Sequence, residues 1–307
     1  MQFESGTEKF MRIEPVTALL KFYVAIFLSF LASIASADGH NYSLIQTVAR
    51  IAGEIEAQVG FAAYDLESEQ RWEYQADQRF AMSSTFKTLA CAALLHRVDA
   101  GQENLERTVS FSESDLVTYS PITEKYAGGQ AMTLSDLCEA ALTMSDNTAA
   151  NLVLRALGGP EKVTSFARSL GDDVTRLDRW ETELNEAVPG DNRDTTTPNA
   201  MVKNLQSLLL GDALSGKSRD QLHDWLKRNQ VADGLFRAAV PEGWIVADRT
   251  GAGGFGSRSI TAIIWPPERH PIFVALYLTQ TEASFSERNQ AIAEIGEAII
   301  LAVDSGR

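Results

Sequence analysis

The chain has 307 residues, of which 45% are hydrophobic, and its formal net charge at pH 7 is −14. A chain of this length and composition buries one large hydrophobic core or two layered ones. The strong negative charge argues against nucleic acid and against an anionic membrane surface as partners, because both repel an acidic protein. It does not exclude a small-molecule substrate.

The first predicted element is a signal peptide over residues 1–37. Its apolar run extends from Phe22 to Ile34, and Ala35-Ser36-Ala37 supplies the small residues of a signal-peptidase site. The apolar run is shorter than the roughly 20 residues that span a bilayer. We therefore expect cleavage near Ala37, a periplasmic or secreted product and no stable membrane anchor. Both Met1 and Met11 are possible translation starts.

The sequence pattern predicts strands near both ends of the mature chain and helices in its middle. Leu44, Val48 and Ile55 repeat at helical spacing, and residues 61–64 and 72–74 read as a strand pair. Helical periodicity dominates from Ser84 to about Trp225. Three strands and a final helix are predicted at Trp244 to Asp248, Ser259 to Trp265, Ile272 to Thr279 and Ser286 to Val303. A sheet built from both ends of the chain, with a helical insertion between them, is the simplest arrangement.

Ser84 and Lys87 stand three residues apart at the start of an apolar helical run, so their side chains share one helix face. Serine is a weak nucleophile at neutral pH and attacks a carbonyl only when a base lies within hydrogen-bond reach. Taken alone, this pair is better explained as an N-cap serine followed by a solvated lysine.

Three further polar segments change that interpretation. Ser145-Asp146-Asn147 ends the helical run from Thr133 to Met144, a polar loop carries Glu181, and Arg249-Thr250-Gly251 follows a predicted strand. In this order the segments resemble the signature of the class A serine β-lactamases. The arginine that opens the third box resembles the carbenicillin-hydrolysing members. The resemblance covers essentially the whole mature chain, with one departure: Thr182 follows the glutamate where many relatives have proline.

The resemblance implies the fold shared by serine β-lactamases and penicillin-binding proteins. An antiparallel sheet is flanked by N- and C-terminal helices, a large helical domain is inserted, and the active site lies between the two. The implied α/β domain comprises residues 38–76 and 226–307, and the all-α domain comprises residues 77–225. The implied activity is hydrolysis of penicillins, carbenicillin included, which gives antibiotic resistance. The implied enzyme is a monomer without a cofactor.

The resemblance also assigns the catalytic residues. Ser84 attacks the lactam carbonyl, and its amide and that of Ala252 form the oxyanion hole. Lys87 and Glu181 are both candidates to accept the serine proton, while Glu181 is the base for deacylation. Ser145 passes a proton to the departing lactam nitrogen.

Binding residues are implied in the same way. The ring carboxylate is expected on Arg249, Thr250 and Arg258, because guanidinium groups pair with carboxylates in bidentate fashion. Asn147 is expected to bind the substrate's side-chain amide and Asn185 to help hold the hydrolytic water. The complete set of expected substrate-binding residues is Tyr119, Asn147, Asn185, Arg249, Thr250, Gly251, Ala252 and Arg258.

Two cysteines occur, Cys91 and Cys138. Exported proteins meet oxidising conditions, and some members of the resembled family join the matching positions, so a disulfide is expected, with two buried free thiols as the alternative. In the glutamate-bearing loop, Arg179 and Asp194 are expected to form an ion pair.

Two patterns are excluded as cofactor or metal sites. The glycines from Gly251 to Gly256 satisfy G-x-G-x-x-G, but a β-branched strand follows where a dinucleotide site needs a helix. The histidines are scattered without the spacing of a metal site, at His40, His96, His223 and His270.

Two rival functions share Ser84, Lys87 and Ser145. A penicillin-binding DD-peptidase has no use for a water-activating Glu181, because a long-lived acyl-enzyme is its normal fate with these drugs. A β-lactam sensor domain also lacks that glutamate and keeps a membrane anchor.

Overall fold

A computed structural model describes residues 43–304, and the predicted signal peptide, its cleavage site and the start of translation lie outside them. The helices are α1 (43–54), α2 (Phe86–Asp99), α3 (Leu134–Thr143), α4 (Asn147–Leu157), α5 (Pro160–Ser169), α6 (Pro198–Leu210), α7 (Gly216–Lys227), α8 (Phe236–Ala239) and α9 (Phe285–Asp304). The strands are β1 (Gln58–Asp65), β2 (Arg71–Tyr74), β3 (Phe80–Ala81), β4 (Thr108–Val109), β5 (Met132–Thr133), β6 (Thr195–Thr196), β7 (Ile245–Ala252), β8 (Arg258–Trp265) and β9 (Ile272–Thr279).

The main sheet has five antiparallel strands in the order β2-β1-β9-β8-β7. Strands β1 and β9, from opposite ends of the chain, pair along their whole length from Gln58↔Thr279 to Asp65↔Ile272. The sheet built from both chain ends is therefore confirmed. Strand β7 continues four residues past the predicted end at Asp248, because pairing with β8 extends to Ala252↔Arg258.

Two hydrophobic clusters lie on the two faces of this sheet. Helices α1 and α9 bury Val48 and Ile295 against one face, together with Phe61. The other cluster joins Phe273 of the sheet to the buried helices of the middle of the chain, including α2. Apolar residues thus alternate between two covered faces, as expected for a sheet enclosed by helices. The division into an α/β and an all-α domain stays a prediction.

Helices α2 and α3 are joined covalently. The disulfide Cys91–Cys138 has its Cα atoms 5.8 Å apart, which confirms the predicted bridge. Helix α3 begins at a capping box, in which the Thr133 hydroxyl accepts from the Asp136 amide and the Asp136 carboxylate accepts from the Thr133 amide.

The glycine-rich pattern from Gly251 to Gly256 forms the β7–β8 hairpin. In this hairpin the Gly253 amide donates to the Ser257 carbonyl. A strand follows it, as the sequence indicates, so the pattern is structural. Within residues 43–304, every helix is too short or too polar to cross a membrane.

Candidate active site

Ser84 and Lys87 lie where a 3₁₀ turn, Ser83–Thr85, continues into α2. The first ten residues of α2 are buried, so the lysine enters the protein interior instead of solvent. Its side chain is inaccessible, and Ser84 is only 8% exposed. The interpretation of this pair as an N-cap serine and a solvated lysine is therefore wrong.

Ser145 and Asn147 are positioned by the connection between α3 and α4. The Asp146 carboxylate caps α4 through the Ala149 amide and also accepts from the Thr123 amide, which holds the neighbouring loop. Ser145 has φ +60°, a conformation that non-glycine residues seldom adopt and that is found at functional sites. The Ser-Asp-Asn segment thus combines one structural aspartate with two side chains directed to the site.

Glu181 lies on the loop between α5 and β6, which we call the glutamate loop (170–194). Asn151 of α4 fixes its backbone from both sides: Nδ2 donates to the Glu181 carbonyl at 2.9 Å, and Oδ1 accepts from the Glu181 amide at 2.9 Å. The Glu181–Thr182 peptide bond is cis.

An ion pair closes the glutamate loop, as predicted. Arg179 Nε lies 2.6 Å from Asp194 Oδ2, and the Asp194 carboxylate also accepts from the Asp178 amide at 2.7 Å. Asp194 is fully buried, so these bonds compensate for the loss of its hydration.

A directed chain of hydrogen bonds connects the side chains that are predicted to be catalytic, and we call it the catalytic chain. Lys87 Nζ and Arg249 Nη2 both donate to Ser145 Oγ, and neither cation accepts a hydrogen bond in return. The Ser145 hydroxyl therefore donates to Ser84 Oγ, 3.2 Å away. The Ser84 hydroxyl in turn donates to Glu181 Oε1 at 3.5 Å. In this arrangement the hydroxyl proton of Ser84 points to the Glu181 carboxylate.

Lys87 Nζ is surrounded by oxygen atoms of the site. It lies 3.0 Å from Glu181 Oε1, 2.6 Å from Asn147 Oδ1 and 3.0 Å from the Ser145 carbonyl oxygen. Burial lowers the pKa of Lys87 to about 8, although the charge of Glu181 opposes the shift.

Arg249 is also buried, at 1% exposure, and reaches Ser145 from behind. Its Nη1 makes two long hydrogen bonds of 3.4 Å, to the Leu142 carbonyl and to Asn229 Oδ1. Burial lowers the pKa of Arg249 to about 10, so the guanidinium is charged at neutral pH. No local sequence pattern indicates this burial, since a basic residue after a strand is usually exposed.

A cleft of about 310 Å³ opens in front of Ser84 and Ser145. It is lined by Ser84, Tyr119, Ser145, Asn147, Asn185, Val231, Thr250, Gly251, Ala252, Arg258 and Phe285. Most of the expected binding residues are therefore brought together, whereas Lys87, Glu181 and Arg249 lie behind the cleft wall. Tyr119 is 53% exposed at the rim.

The Ala252 amide points at the free edge of the sheet. The next amide, that of Gly253, donates within the hairpin to Ser257. Consecutive amides of a strand point to opposite edges, and β7 is an edge strand that runs beside the Ser84 turn. This amide thus faces the same side as the serine.

Sequence reasoning missed Asn151 and Phe285. Asn151 lies four residues after Asn147 on α4, so both side chains share one helix face. This spacing could have indicated that Asn151 lies near the site. Phe285 begins α9, 27 residues after Arg258, and no local pattern marks it. Within residues 43–304, no cluster of three or more His, Cys, Asp or Glu side chains could hold a metal ion.

Comparisons with known proteins agree with this geometry, which defines an enzyme with an activated serine. The model of the β-lactamase enzyme family matches residues 43–303. β-Lactamase CARB-4 of Pseudomonas aeruginosa is 48% identical over 275 residues, 89% of this chain and 95% of that protein. β-Lactamase AER-1 of Aeromonas hydrophila is 52% identical over 253 residues, 82% of this chain and 83% of that protein.

Solved structures give the same answer. An ancestral class A β-lactamase superposes with a TM-score of 0.83 at 52% identity, covering 84% of this chain and 99% of that one. The chromosome-encoded β-lactamase of Vibrio parahaemolyticus has a TM-score of 0.82 at 47% identity, covering 84% and 98%. The chain therefore belongs to the β-lactamase family and is a class A serine enzyme that hydrolyses β-lactams.

Proposed function

We propose that this enzyme hydrolyses penicillins, carbenicillin included, through an acyl-enzyme on Ser84. The observation that supports the proposal most strongly is the directed chain from Ser145 through Ser84 to Glu181. It aligns a nucleophile with a base on one side and with a proton donor on the other.

In acylation, Ser84 Oγ attacks the lactam carbonyl and its proton passes to Glu181. The hydroxyl already donates to this carboxylate, whereas Lys87 is mostly protonated at pH 7 because its pKa is about 8. Glu181 is therefore our proposed acylation base. The amides of Ser84 and Ala252 stabilise the oxyanion that forms.

The lactam nitrogen leaves with a proton from Ser145. Two cations, Lys87 and Arg249, donate to the Ser145 oxygen and favour the charge that builds up on it as its proton departs. Arg249 thus acts through Ser145, and its place behind the cleft leaves direct contact with the ring carboxylate to Thr250 and Arg258.

Deacylation needs a positioned water and a base. Glu181 Oε2 accepts from Asn185 Nδ2 at 2.5 Å, and Asn185 Oδ1 is a buried acceptor without a partner among the described residues. A water donating to both side-chain oxygens would lie between Glu181 and the acyl carbonyl. This pair supports hydrolysis over the DD-peptidase and sensor alternatives, neither of which needs it.

Substrate binding uses the remaining cleft residues. Asn147 donates to the Thr118 carbonyl at 2.8 Å and accepts from Lys87, which fixes its amide beside the cleft for the substrate's side-chain amide. Tyr119 supplies an apolar wall at the rim. We further propose export with cleavage near Ala37 and a monomeric mature enzyme.

Ser84→Ala tests the nucleophile. We expect no covalent adduct by intact-mass spectrometry after incubation with benzylpenicillin, and loss of turnover with an unchanged melting temperature. Ser83→Ala removes the neighbouring hydroxyl, which has no partner among the described residues, and should still form the adduct. A stable adduct on Ser84→Ala would refute the assignment.

A further inference from the structure

An exposed aromatic residue lies at one end of the cleft. Phe285 is 50% exposed, lines the cleft and belongs to none of the four polar segments that identify the catalytic groups. A large apolar side chain half-exposed inside a polar site is a candidate for contact with a ligand.

Phe285 is one of three groups that hold Arg258. Arg258 Nε donates to Asn289 Oδ1 at 2.8 Å and Nη1 donates to the Gly251 carbonyl at 2.9 Å. The Phe285 ring centroid lies 4.9 Å from Arg258 Cζ, within the range of a cation–π contact. Phe285 and Asn289 are one helical turn apart, so the first turn of α9 supplies both contacts.

These contacts leave one edge of the guanidinium for a ligand. Because Nε and Nη1 are committed to protein acceptors, Nη2 is the nitrogen that remains for the cleft, which Arg258 lines. The phenyl ring covers one face of the cation and excludes water there, which strengthens an ion pair formed at the open edge. Burial lowers the pKa of Arg258 to about 10, so it is charged at neutral pH.

We propose that Phe285 positions Arg258 and limits the size of the substrate ring next to the carboxylate. The inference rests on the proposed function, in which Arg258 binds that carboxylate. A ring bound through its carboxylate at Nη2 lies beside the phenyl group. Penams carry two methyl groups next to the carboxylate-bearing carbon and fit this wall. Cephems with a bulky substituent on the neighbouring ring carbon contact it unfavourably.

The test compares Phe285→Ala, Phe285→Tyr and Phe255→Ala. Phe255 is a matched control, since it is 51% exposed on the β7–β8 hairpin and does not line the cleft. For benzylpenicillin we expect Phe285→Ala to raise KM about 3- to 10-fold with kcat within about twofold, the range of a cation–π contact. Its KM should depend more steeply on ionic strength. The ratio of kcat/KM for a bulky cephem to that for benzylpenicillin should rise.

Phe285→Tyr should keep wild-type values, and so should Phe255→Ala. Unchanged KM and salt dependence in Phe285→Ala, or an equal KM increase in Phe255→Ala, would overturn the inference. Circular dichroism and melting temperature establish that each variant is folded.

A double-mutant cycle distinguishes positioning from direct contact. In the Arg258→Ala background, Phe285→Ala should raise KM no further, because its effect passes through the guanidinium. Fully additive increases would contradict the positioning role. If Arg258→Ala alone leaves KM unchanged, the carboxylate assignment fails and the inference falls with it. If Arg258→Ala raises KM while Phe285→Ala does not, the inference alone fails.

Discussion

At the scale of single residues, the two arginines next to the cleft, Arg249 and Arg258, are placed differently. Arg249 is buried behind Ser145 and donates to its hydroxyl, while Arg258 lines the cleft. The two guanidinium groups, nine residues apart in sequence, thus lie on opposite sides of the cleft wall. We infer that Arg249 acts on the proposed proton donor and that Arg258 is placed for the substrate.

This difference predicts different kinetic effects. Arg249→Ala should lower kcat/KM for carbenicillin about 10- to 100-fold, largely through slower acylation, because Ser145 loses a donor that stabilises its developing charge. Arg258→Ala should act mainly on KM. Stopped-flow acylation rates measure the first effect, with Arg249→Lys as the control that keeps the charge. An unchanged kcat/KM in Arg249→Ala would show that the third box has been misread.

At the scale of secondary-structure elements, the disulfide secures the helices that carry two parts of the site. Helix α2 follows Ser84, and α3 leads to Ser145. The bridge Cys91–Cys138 closes a loop of 47 residues. Such a constraint reduces the conformational freedom of the unfolded chain.

The Cys91→Ser, Cys138→Ser double variant should therefore be less stable by about 2–4 kcal/mol, an effect typical of a loop of this length. Urea denaturation of the two proteins measures the difference. Turnover at low temperature should be close to that of the wild type, because neither cysteine belongs to the catalytic chain. Wild-type protein that titrates two free thiols when denatured without reductant would contradict the bridge.

Elements close in sequence were predictable, and contacts between distant elements were not. The capping box of α3, the final helix and the three C-terminal strands follow from local periodicity and turn residues. The extension of β7 through Arg249 depends on pairing with β8, which local composition does not specify. The roles of Asn151 and Phe285 depend on partners 30 and 27 residues away in sequence. Catalytic residues were assigned through a family resemblance, since side-chain geometry arises only on folding.

At the scale of the whole molecule, one histidine makes stability depend on pH. His223 of α7 packs edge-on against Trp265 of the sheet, with ring centroids 5.4 Å apart. Burial above all, helped by the neighbouring charges of Lys227 and Arg219 and opposed by Asp220, lowers the pKa of His223 to about 4.

The sign of the effect follows from proton uptake. The unfolded chain binds a proton at this histidine near pH 6.5, whereas the folded chain does so only near pH 4. Stability should therefore fall by about 2–3 kcal/mol as the pH drops from 6.5 to 4 through this group. His223→Gln should remove that part of the pH dependence in urea denaturation, and His270→Gln, at an exposed site, should not. If the free energy of unfolding of His223→Gln falls with decreasing pH in parallel with that of the wild type, the prediction is wrong.

Acylation and deacylation should become separable when Glu181 is removed. Ser84 and Glu181 are 97 residues apart in sequence and meet only in the folded protein. Removing the glutamate abolishes water activation, but it also removes the charge that raises the pKa of Lys87. A larger fraction of Lys87 is then neutral and can accept the serine proton, so slow acylation should persist.

Glu181→Ala is therefore the most direct test. Mixed with benzylpenicillin, it should accumulate a penicilloyl adduct on Ser84 by mass spectrometry, with steady-state turnover lower by about 10²–10⁴-fold or more. Glu183→Ala, two residues along the same loop, should turn over like the wild type. Wild-type turnover in Glu181→Ala, or an equal loss in Glu183→Ala, would contradict the proposed mechanism.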